Sequence, residues 1–403
     1  MSNDTMTTVA YFLKTVFDQG LADETLRLHP TLDMMEKIAD FFGDSITYAV
    51  RIANAQNIAS SATGISGLAA AQAVGSASKG VKFNMTRVRK TGTISMDIEA
   101  IAAAIGRNDG SFENLLSTEV DGLNREFTNR LGFDLFRDGT GKRGQRLSAA
   151  VNVVTLATPD DARNFQVNMV VGASPNADGS GARVGTTAVA GVDYDAGTVT
   201  LVSAAAIAAF ADNDFMFASP EISNNLQGFG SCTPLVAPTS TLFRNVDRTA
   251  NIALLAGARL NDTTSMIEEN AGRCAVKVMQ NGGIVDSLVL NPQRAWEMLR
   301  RLGAKIVYQG GGGTAKYGFE AAMISTPAGD LRVIPDPDCP MTEGRGFHNP
   351  SHKIRSLKEF IHLGNEDGKY ELRMPTDDAL EARCRSMSQY QQTEPRNHFV
   401  FAI

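Results

Sequence analysis

The chain has 403 residues, of which 43% are hydrophobic and 20% are charged, so it can bury the cores of two or three domains and is not a disordered chain. Its formal net charge of −6 makes it a poor candidate for tight binding of nucleic acid through phosphates. Because no basic segment precedes a long apolar run, we expect neither a signal peptide nor a membrane span.

The cysteines are far apart in the sequence and form no CxxC pair. They are Cys232, Cys274, Cys339 and Cys384. This spacing predicts buried free thiols in a reducing compartment rather than a disulfide framework.

Residues 1–44 are too few to enclose a core of their own, so this segment is predicted to pack on another surface. After Thr31, apolar residues recur at helical spacing and predict a short helix. They are Leu32, Met35, Ala39 and Phe42.

Residues 45–96 contain no Asp or Glu but are basic. The basic residues are Arg51, Lys79, Lys82, Arg87, Arg89 and Lys90. Residues 57–80 are rich in Ala, Ser and Gly, whereas residues 81–98 alternate as a strand does. The pattern predicts an extended two-stranded arm, and charge alone leaves open whether it is a solvated hairpin or a contact surface.

Residues 111–147 contain the longest predicted helix. Ser111 is a candidate N-cap, and Gly139 and Gly141 end the helical pattern. Its apolar stripe consists of Phe112, Leu115, Leu116, Val120, Leu123, Phe127 and Leu131. A helix that ends near Arg137 would be about 40 Å long, which is more than one small core requires.

Residues 158–222 carry eight acidic and two basic side chains, and short apolar runs alternate with turn sequences. We predict a compact, acidic, outward-facing insertion of small strands. The aspartates of residues 193–197 lack the full calcium-loop pattern, so turn formation is the favoured interpretation.

Residues 262–280 predict a helix with Ile267, Ala271, Cys274 and Val278 on one face. A buried strand at residues 284–290 leads to Asn291, a candidate cap, and Pro292, a candidate first helical residue. The side chains expected to face the core are Trp296, Leu299 and Leu302. A glycine loop follows at residues 309–313.

Strands are predicted at residues 353–363, 369–374 and 398–403, whereas periodicity leaves residues 378–392 undecided between helix and strand. The glycine clusters at residues 139–142 and 310–316 do not complete a phosphate-binding loop. Pro350 separates His348 from His352, and no catalytic motif is present. We therefore expect no enzyme activity, no cofactor and no metal site.

Four segments carry a family resemblance. They are RDGTGKRGQRL at residues 137–147 after the long helix, SLVLNPQRAWEMLRRLG at 287–303, GDLRVIPDPDCP at 329–340 and the final 24 residues from Leu380. In this order they resemble the major capsid proteins of tailed bacteriophages, which have the Hong Kong 97-type fold. The resemblance implies an α+β fold with a discontinuous peripheral domain, an axial domain, an extended β-hairpin arm and a small β-rich insertion. It also favours a strand at residues 378–392.

The resemblance implies the following divisions of the chain. They are an N-terminal arm at residues 1–44, the extended loop at 45–98, the peripheral domain with its spine helix at 99–157, the acidic insertion at 158–222, the axial domain at 223–350 and a return to the peripheral domain at 351–403. The implied function is assembly of hexamers and pentamers into an icosahedral phage head around double-stranded DNA. The virion would form in the bacterial cytoplasm.

Opposite charges on the arm and the long helix lead to a hypothesis of contact between subunits. The candidate residues are Arg51, Lys82, Arg87, Arg89, Lys90, Glu113, Glu119, Asp121 and Glu126.

Portal and scaffolding or decoration proteins are the implied partners, together with DNA held by confinement, and no membrane is implied. An encapsulin-like compartment is the main alternative. A nucleotide-dependent enzyme and a β-rich adhesin or decoration protein explain fewer of the features.

Overall fold

The computed structural model of the protein describes residues 28–60, 67–97, 115–302, 323–364, 371–373 and 378–403. They fall into two compact units. The larger unit comprises Leu28–Arg89, Asn129–Phe360 and Ser386–Ile403, and the smaller one includes Lys90–Thr128 and Ile361–Arg385. The predicted cap at Ser111 and the glycine loop at 309–313 lie outside the described residues.

The α-helices of the described residues are numbered in chain order. They are α1 (Pro30–Met34), α2 (Gly67–Ala73), α3 (Leu115–Phe136), α4 (Phe229–Cys232), α5 (Ile252–Ala256), α6 (Ile267–Gln280) and α7 (Pro292–Leu302).

The strands are numbered in the same way. The first ten are β1 (Glu36–Ile38), β2 (Ser45–Ala53), β3 (Lys79–Thr86), β4 (Val88–Asp97), β5 (Lys142–Ala150), β6 (Val153–Leu156), β7 (Val170–Ser174), β8 (Thr187–Asp193), β9 (Thr198–Leu201) and β10 (Phe215–Ala218). The others are β11 (Ala258–Leu260), β12 (Ser287–Leu290), β13 (Met323–Thr326), β14 (Gly329–Pro335), β15 (Glu343–Phe347), β16 (His352–Ser356), β17 (His362–Leu363), β18 (Glu371–Arg373), β19 (Ala379–Gln392) and β20 (Phe399–Ala402).

The helix predicted after Thr31 is shorter than its apolar spacing indicated. It ends at Met34, and β1 follows and pairs in parallel with β16. Leu32 and Met35 are buried, whereas Ala39 and Phe42, which were predicted on the same helical face, lie beyond the helix with exposed side chains. Once the chain is extended, helical spacing no longer decides which side chains face the core.

The long helix α3 is confirmed from Leu115 to Phe136. Phe127 and Leu131 of the predicted stripe are buried. The helix ends before Gly139 and Gly141, whose φ angles are 89° and 83°, so the two glycines adopt the left-handed conformation that stops it. The division between the two units falls within α3, after Thr128.

Six antiparallel strands form a closed barrel in the order β10, β5, β6, β9, β8, β7. Its core includes Leu156, Phe165, Val171 and Met216. The predicted small strands and tight turns between residues 158 and 222 are present. Two further strands, β5 and β6, join the barrel from before residue 158.

Arginines outside residues 158–222 neutralise part of that segment's negative charge. Glu221 accepts hydrogen bonds from Arg130 of α3 at 2.8 Å and from Arg143 of β5 at 3.2 Å. Arg146, also on β5, pairs with Asp212 at 3.0 Å. The excess of acids therefore lies partly in ion pairs with α3 and β5 rather than wholly on an exposed surface.

A second sheet of six strands has the order β11, β20, β15, β12, β14, β13. Helix α6 packs on it through Ile267, Ala271, Cys274 and Val278, which share one face as predicted and are all buried. The helix starts at Ile267 rather than at Asp262, because the Asp262 carboxylate accepts hydrogen bonds from the backbone N–H groups of Thr264 and Ser265 in a turn.

Helix α7 starts as predicted. The Asn291 side chain accepts a hydrogen bond from Gln293 N–H at 3.1 Å, and Pro292 is the first helical residue. The prediction that Trp296 faces the core is wrong, since this side chain is 58% exposed. Ala295 and Met298 are fully buried and the predicted Leu299 is half-buried, so the buried side of α7 includes no aromatic side chain.

The undecided segment near the C-terminus is the long strand β19. In the larger unit its C-terminal half pairs with β16, and in the smaller unit its N-terminal half pairs with β17 and β18. The predicted strand at residues 353–363 is divided into β16 and β17, and the terminal strand β20 is confirmed. All four cysteines are buried and free, as predicted.

Candidate inter-subunit surface

Strands β2 and β3 form a two-stranded sheet with one apolar and one polar face. Tyr48 and Phe83 are paired across the strands, and their rings stack with centroids 5.2 Å apart. This face packs against Phe243, Val246 and Leu255. Since paired residues point to the same side of an antiparallel sheet, the residues between them form the opposite, polar face.

Two of the predicted contact residues, Arg51 and Lys82, lie together on the polar face. Arg51 is paired with Gly80, and Lys82 is paired with Ala49 two positions further along. Both side chains are exposed. The fold therefore concentrates positive charge on the face of this sheet that does not cover its own core.

The other basic candidates differ in their surroundings. The Arg87 guanidinium donates a hydrogen bond to the Phe41 carbonyl at 2.8 Å and lies 5.3 Å from the centroid of that ring. Arg87 thus holds the segment after β1 in its own unit. Arg89 is exposed, and Lys90 is half-buried.

The acidic candidates lie on or near α3. Asp121 is exposed and Glu126 is half-buried, Glu119 belongs to the helix, and Glu113 falls outside the described residues. Asp121 and Glu126 are in the smaller unit, whereas Arg51 and Lys82 are in the larger unit. Pairing of the acidic helix with the arm of another copy stays a prediction.

Sequence reasoning missed a buried arginine beneath the two-stranded sheet. Arg244 is 8% exposed and lies in a tight turn closed by a bridge between Phe243 and Val246. Its guanidinium donates to the Tyr48 hydroxyl at 3.3 Å and to the Tyr390 carbonyl at 2.8 Å. The one available signal was Asn245, a residue type that favours turns, because neither Gly nor Pro marks this turn.

Burial controls the protonation of the thiols and imidazoles. It raises the pKa of Cys274 to about 12, and it also raises the pKa values of Cys232, Cys339 and Cys384, so the thiols stay protonated at neutral pH. It lowers the pKa of His398 to about 3. These groups are suited to packing rather than to nucleophilic or acid–base chemistry at pH 7.

Within the ranges that the structure describes, no three His, Cys, Asp or Glu side chains converge as metal ligands. The Asp193 side chain accepts hydrogen bonds from the N–H groups of Asp195 and Ala196, which is the predicted turn geometry. Among the described helices, none combines the length and apolar character that a membrane crossing requires.

Comparisons with known proteins identify the class of fold. No protein-family model and no curated protein sequence matches the chain. A chain of the cyanophage A-1(L) capsid asymmetric unit matches with a TM-score of 0.59 and 9% identity over 98% of both chains. A capsid chain of a native GTA particle matches with a TM-score of 0.54 and 9% identity over 100% of this chain and 99% of that one.

An encapsulin also has this fold. The chain of the holo-SrpI encapsulin complex from Synechococcus elongatus PCC 7942 matches with a TM-score of 0.50 and 6% identity over 100% of this chain and 96% of that one. At such identities the likeness concerns the fold. The protein has the fold of tailed-phage major capsid proteins, over its whole length.

Proposed function

We propose that this protein is a phage major capsid protein, which assembles as hexamers and pentamers into an icosahedral head around double-stranded DNA. The main support is the full-length likeness to the cyanophage capsid chain, which covers 98% of both proteins. A capsid subunit acts mechanically, because many copies share the load of packaged DNA across their contacts. This role requires none of the reactive groups that burial suppresses here.

The proposed organisation follows the divisions given above. Residues 45–98 form the extended loop, α3 is the spine helix, residues 158–222 belong to an insertion, and residues 223–350 form the axial domain. The proposed contact joins the polar face of β2 and β3, with Arg51 and Lys82, to the acidic side of α3 in a second copy. Opposite charges on two such surfaces guide association and fix its register.

The proposed partners of the assembled shell are a portal protein and scaffolding or decoration proteins. DNA would be confined rather than gripped, which suits a chain with a net charge of −6. We place assembly in the cytoplasm of the bacterial host and the final product in the virion.

An encapsulin-like compartment is the second candidate, because one encapsulin has a matching fold with a TM-score of 0.50. The two functions differ in cargo rather than in architecture. Particles purified from the native source would hold nuclease-protected double-stranded DNA if this is a phage head, and protein cargo if it is an encapsulin.

The test of a shell-forming role is negative-stain electron microscopy with size-exclusion chromatography of the full chain expressed alone and with the scaffolding protein from its own genome. We expect closed shells or hexameric and pentameric rings. A dispersed monomer under both conditions would contradict the proposal.

A further inference from the structure

The turn formed by residues 243–246 has a backbone conformation that Arg244 does not favour. Arg244 and Asn245 have φ angles of 49° and 66°, in the left-handed region where a side chain other than Gly is rarely found. Asn tolerates this region, but Arg does not favour it. The surroundings of Arg244 must therefore hold it in place.

Those surroundings belong to three separate segments of the larger unit. The guanidinium binds Tyr48 of β2, Tyr390 of β19 and the side-chain oxygen of Gln227 at 3.1 Å. The Arg244 carbonyl accepts a hydrogen bond at 2.9 Å from the N–H of Asn84, on β3. One residue thus bonds both strands of the two-stranded sheet and the long strand β19.

Within the described chain Arg244 forms no ion pair. The acceptors of its hydrogen bonds are carbonyl and hydroxyl oxygens. Burying a cation without a carboxylate is costly. A planar guanidinium can bind several acceptors at fixed angles, which a lysine cannot do. The directional bonds therefore account for an arginine here better than its charge does.

A second set of hydrogen bonds also connects β3 to β19. The Gln389 side chain donates a hydrogen bond to the Thr86 carbonyl, at the end of β3, at 3.2 Å. Its oxygen accepts a hydrogen bond from the N–H of Gln227 at 3.0 Å. Gln227 therefore contacts both Arg244 and Gln389, and together they fix the end of the sheet against β19.

We propose that Arg244 is a positioning residue, which sets the orientation of β2 and β3 on the subunit and thereby presents Arg51 and Lys82 to a second copy. The proposal rests on the assembly function proposed above. In it, the intersubunit contact depends on a buried residue that takes no part in the contact.

The test compares Arg244→Lys with Arg248→Lys in the full-length chain. Arg248 is a matched control, since it is also 8% exposed and lies over the Phe243 ring, yet it donates to the carbonyls of Ser231 and Cys232 rather than to β2, β3 or β19. Hydrogen exchange of β2 and β3 amides is measured in the unassembled protein, and assembly is followed by size-exclusion chromatography.

We expect Arg244→Lys to speed exchange of the β2 and β3 amides by about tenfold or more, while the barrel strands keep their protection. The Arg244→Lys variant would also assemble less than the wild type. The Arg248→Lys variant would match the wild type in both measurements. Tyr48→Phe, which removes one of the bonds, would give a smaller acceleration. It also serves as the test if Arg244→Lys does not fold.

Wild-type exchange in both the Arg244→Lys and Tyr48→Phe variants would overturn the proposal. So would equal effects of Arg244→Lys and Arg248→Lys, which would indicate a general loss of stability. Fast exchange with wild-type assembly would refute the link to the contact. A wild-type chain that never assembles would refute the assembly function instead, while the exchange data still decide whether Arg244 holds the sheet.

Discussion

His352 and His398 lie side by side in the core of the larger unit, with ring centroids 4.4 Å apart. The His352 Nδ1 atom is 2.5 Å from the Tyr390 hydroxyl. Burial lowers the pKa of both imidazoles, to about 3 for His398, and each has a neighbouring histidine that lowers it further. Both rings are therefore neutral at pH 7, whereas an unfolded histidine has a pKa of about 6.5.

This difference predicts a loss of stability in acid. Between pH 6.5 and pH 3 the unfolded chain binds protons that the folded core excludes, so the free energy of unfolding decreases as the pH falls through this window. From pH 7.5 to pH 5.0 the loss due to His398 is about 2 kcal/mol. Urea unfolding of the wild type and of His398→Leu measures this contribution, because the variant removes the titrating group. An equal pH dependence of the unfolding free energy in the two proteins would contradict the prediction.

His29 has the opposite linkage. Burial alone would lower its pKa, but the hydrogen bond and charge of Asp338 outweigh it, with help from Asn129 and Asp336, and raise the pKa above 6.5. Its stabilising contribution is therefore complete below pH 6.5 and is lost as the pH rises through the folded-state pKa. The difference in unfolding free energy between the wild type and His29→Gln should shrink between pH 6 and pH 9. A difference that stays constant would show that the charge of His29 contributes nothing.

At the scale of elements, the segment before α4 passes directly against the end of α3. A Cβ atom at Gly228 would collide with the Leu135 carbonyl oxygen and lie 2.6 Å from that of Asp134. Backbone atoms cannot move aside as side chains do, so Gly228→Ala is expected to destabilise the protein by about 3 kcal/mol or more.

The matched control is Gly272→Ala in α6, where a new Cβ would meet no atom within 4 Å. There the substitution is expected to stabilise the helix by about 0.5 to 1 kcal/mol. Urea unfolding followed by circular dichroism measures both variants. Gly228→Ala with wild-type stability would show that α3 and the segment before α4 do not approach each other this closely.

Elements with strong local signals were predictable from the sequence. The start of α7 follows from Asn291 and Pro292, and the buried face of α6 follows from its helical spacing. Strand β19 was ambiguous because residues 388–392 are Ser, Gln, Tyr, Gln and Gln, so no apolar alternation identifies the strand even though all five are buried. Trp296 was misplaced because the sequence does not show which apolar side chains of a short helix the sheet covers.

The candidate surface was predictable only where its signal is local in the sequence. The absence of acids over residues 45–96 is visible in the sequence, and it locates the exposed charges of Arg51 and Lys82. Arg244 was not visible, since its partners Tyr48 and Tyr390 are 196 and 146 residues away in the chain. Contacts at such separations depend on the tertiary fold, which composition and periodicity do not specify.

At the scale of the whole molecule, the proposed contact would join the basic face of β2 and β3 in one copy to the acidic side of α3 in another. Arg51, Lys82 and Arg89 have exposed side chains, so reversing their charge with Glu should change the free energy of unfolding by no more than about 0.5 kcal/mol. Assembly should respond differently, because in the proposed contact each reversal would replace attraction to the acidic helix by repulsion. Arg87 is left unchanged, since it holds Phe41 in its own unit.

We expect the triple Glu variant to form far fewer particles than the wild type at low salt, with a smaller difference at high salt, where charges are screened. Arg332→Glu, an exposed strand residue on the second sheet, controls for a change in net charge. Adding Glu119→Lys and Asp121→Lys to the triple variant should restore assembly if the arm meets α3 of a second copy. Particle yield is measured by sedimentation and electron microscopy, and a triple variant that assembles with the wild-type yield and salt dependence would place the contact elsewhere on the subunit.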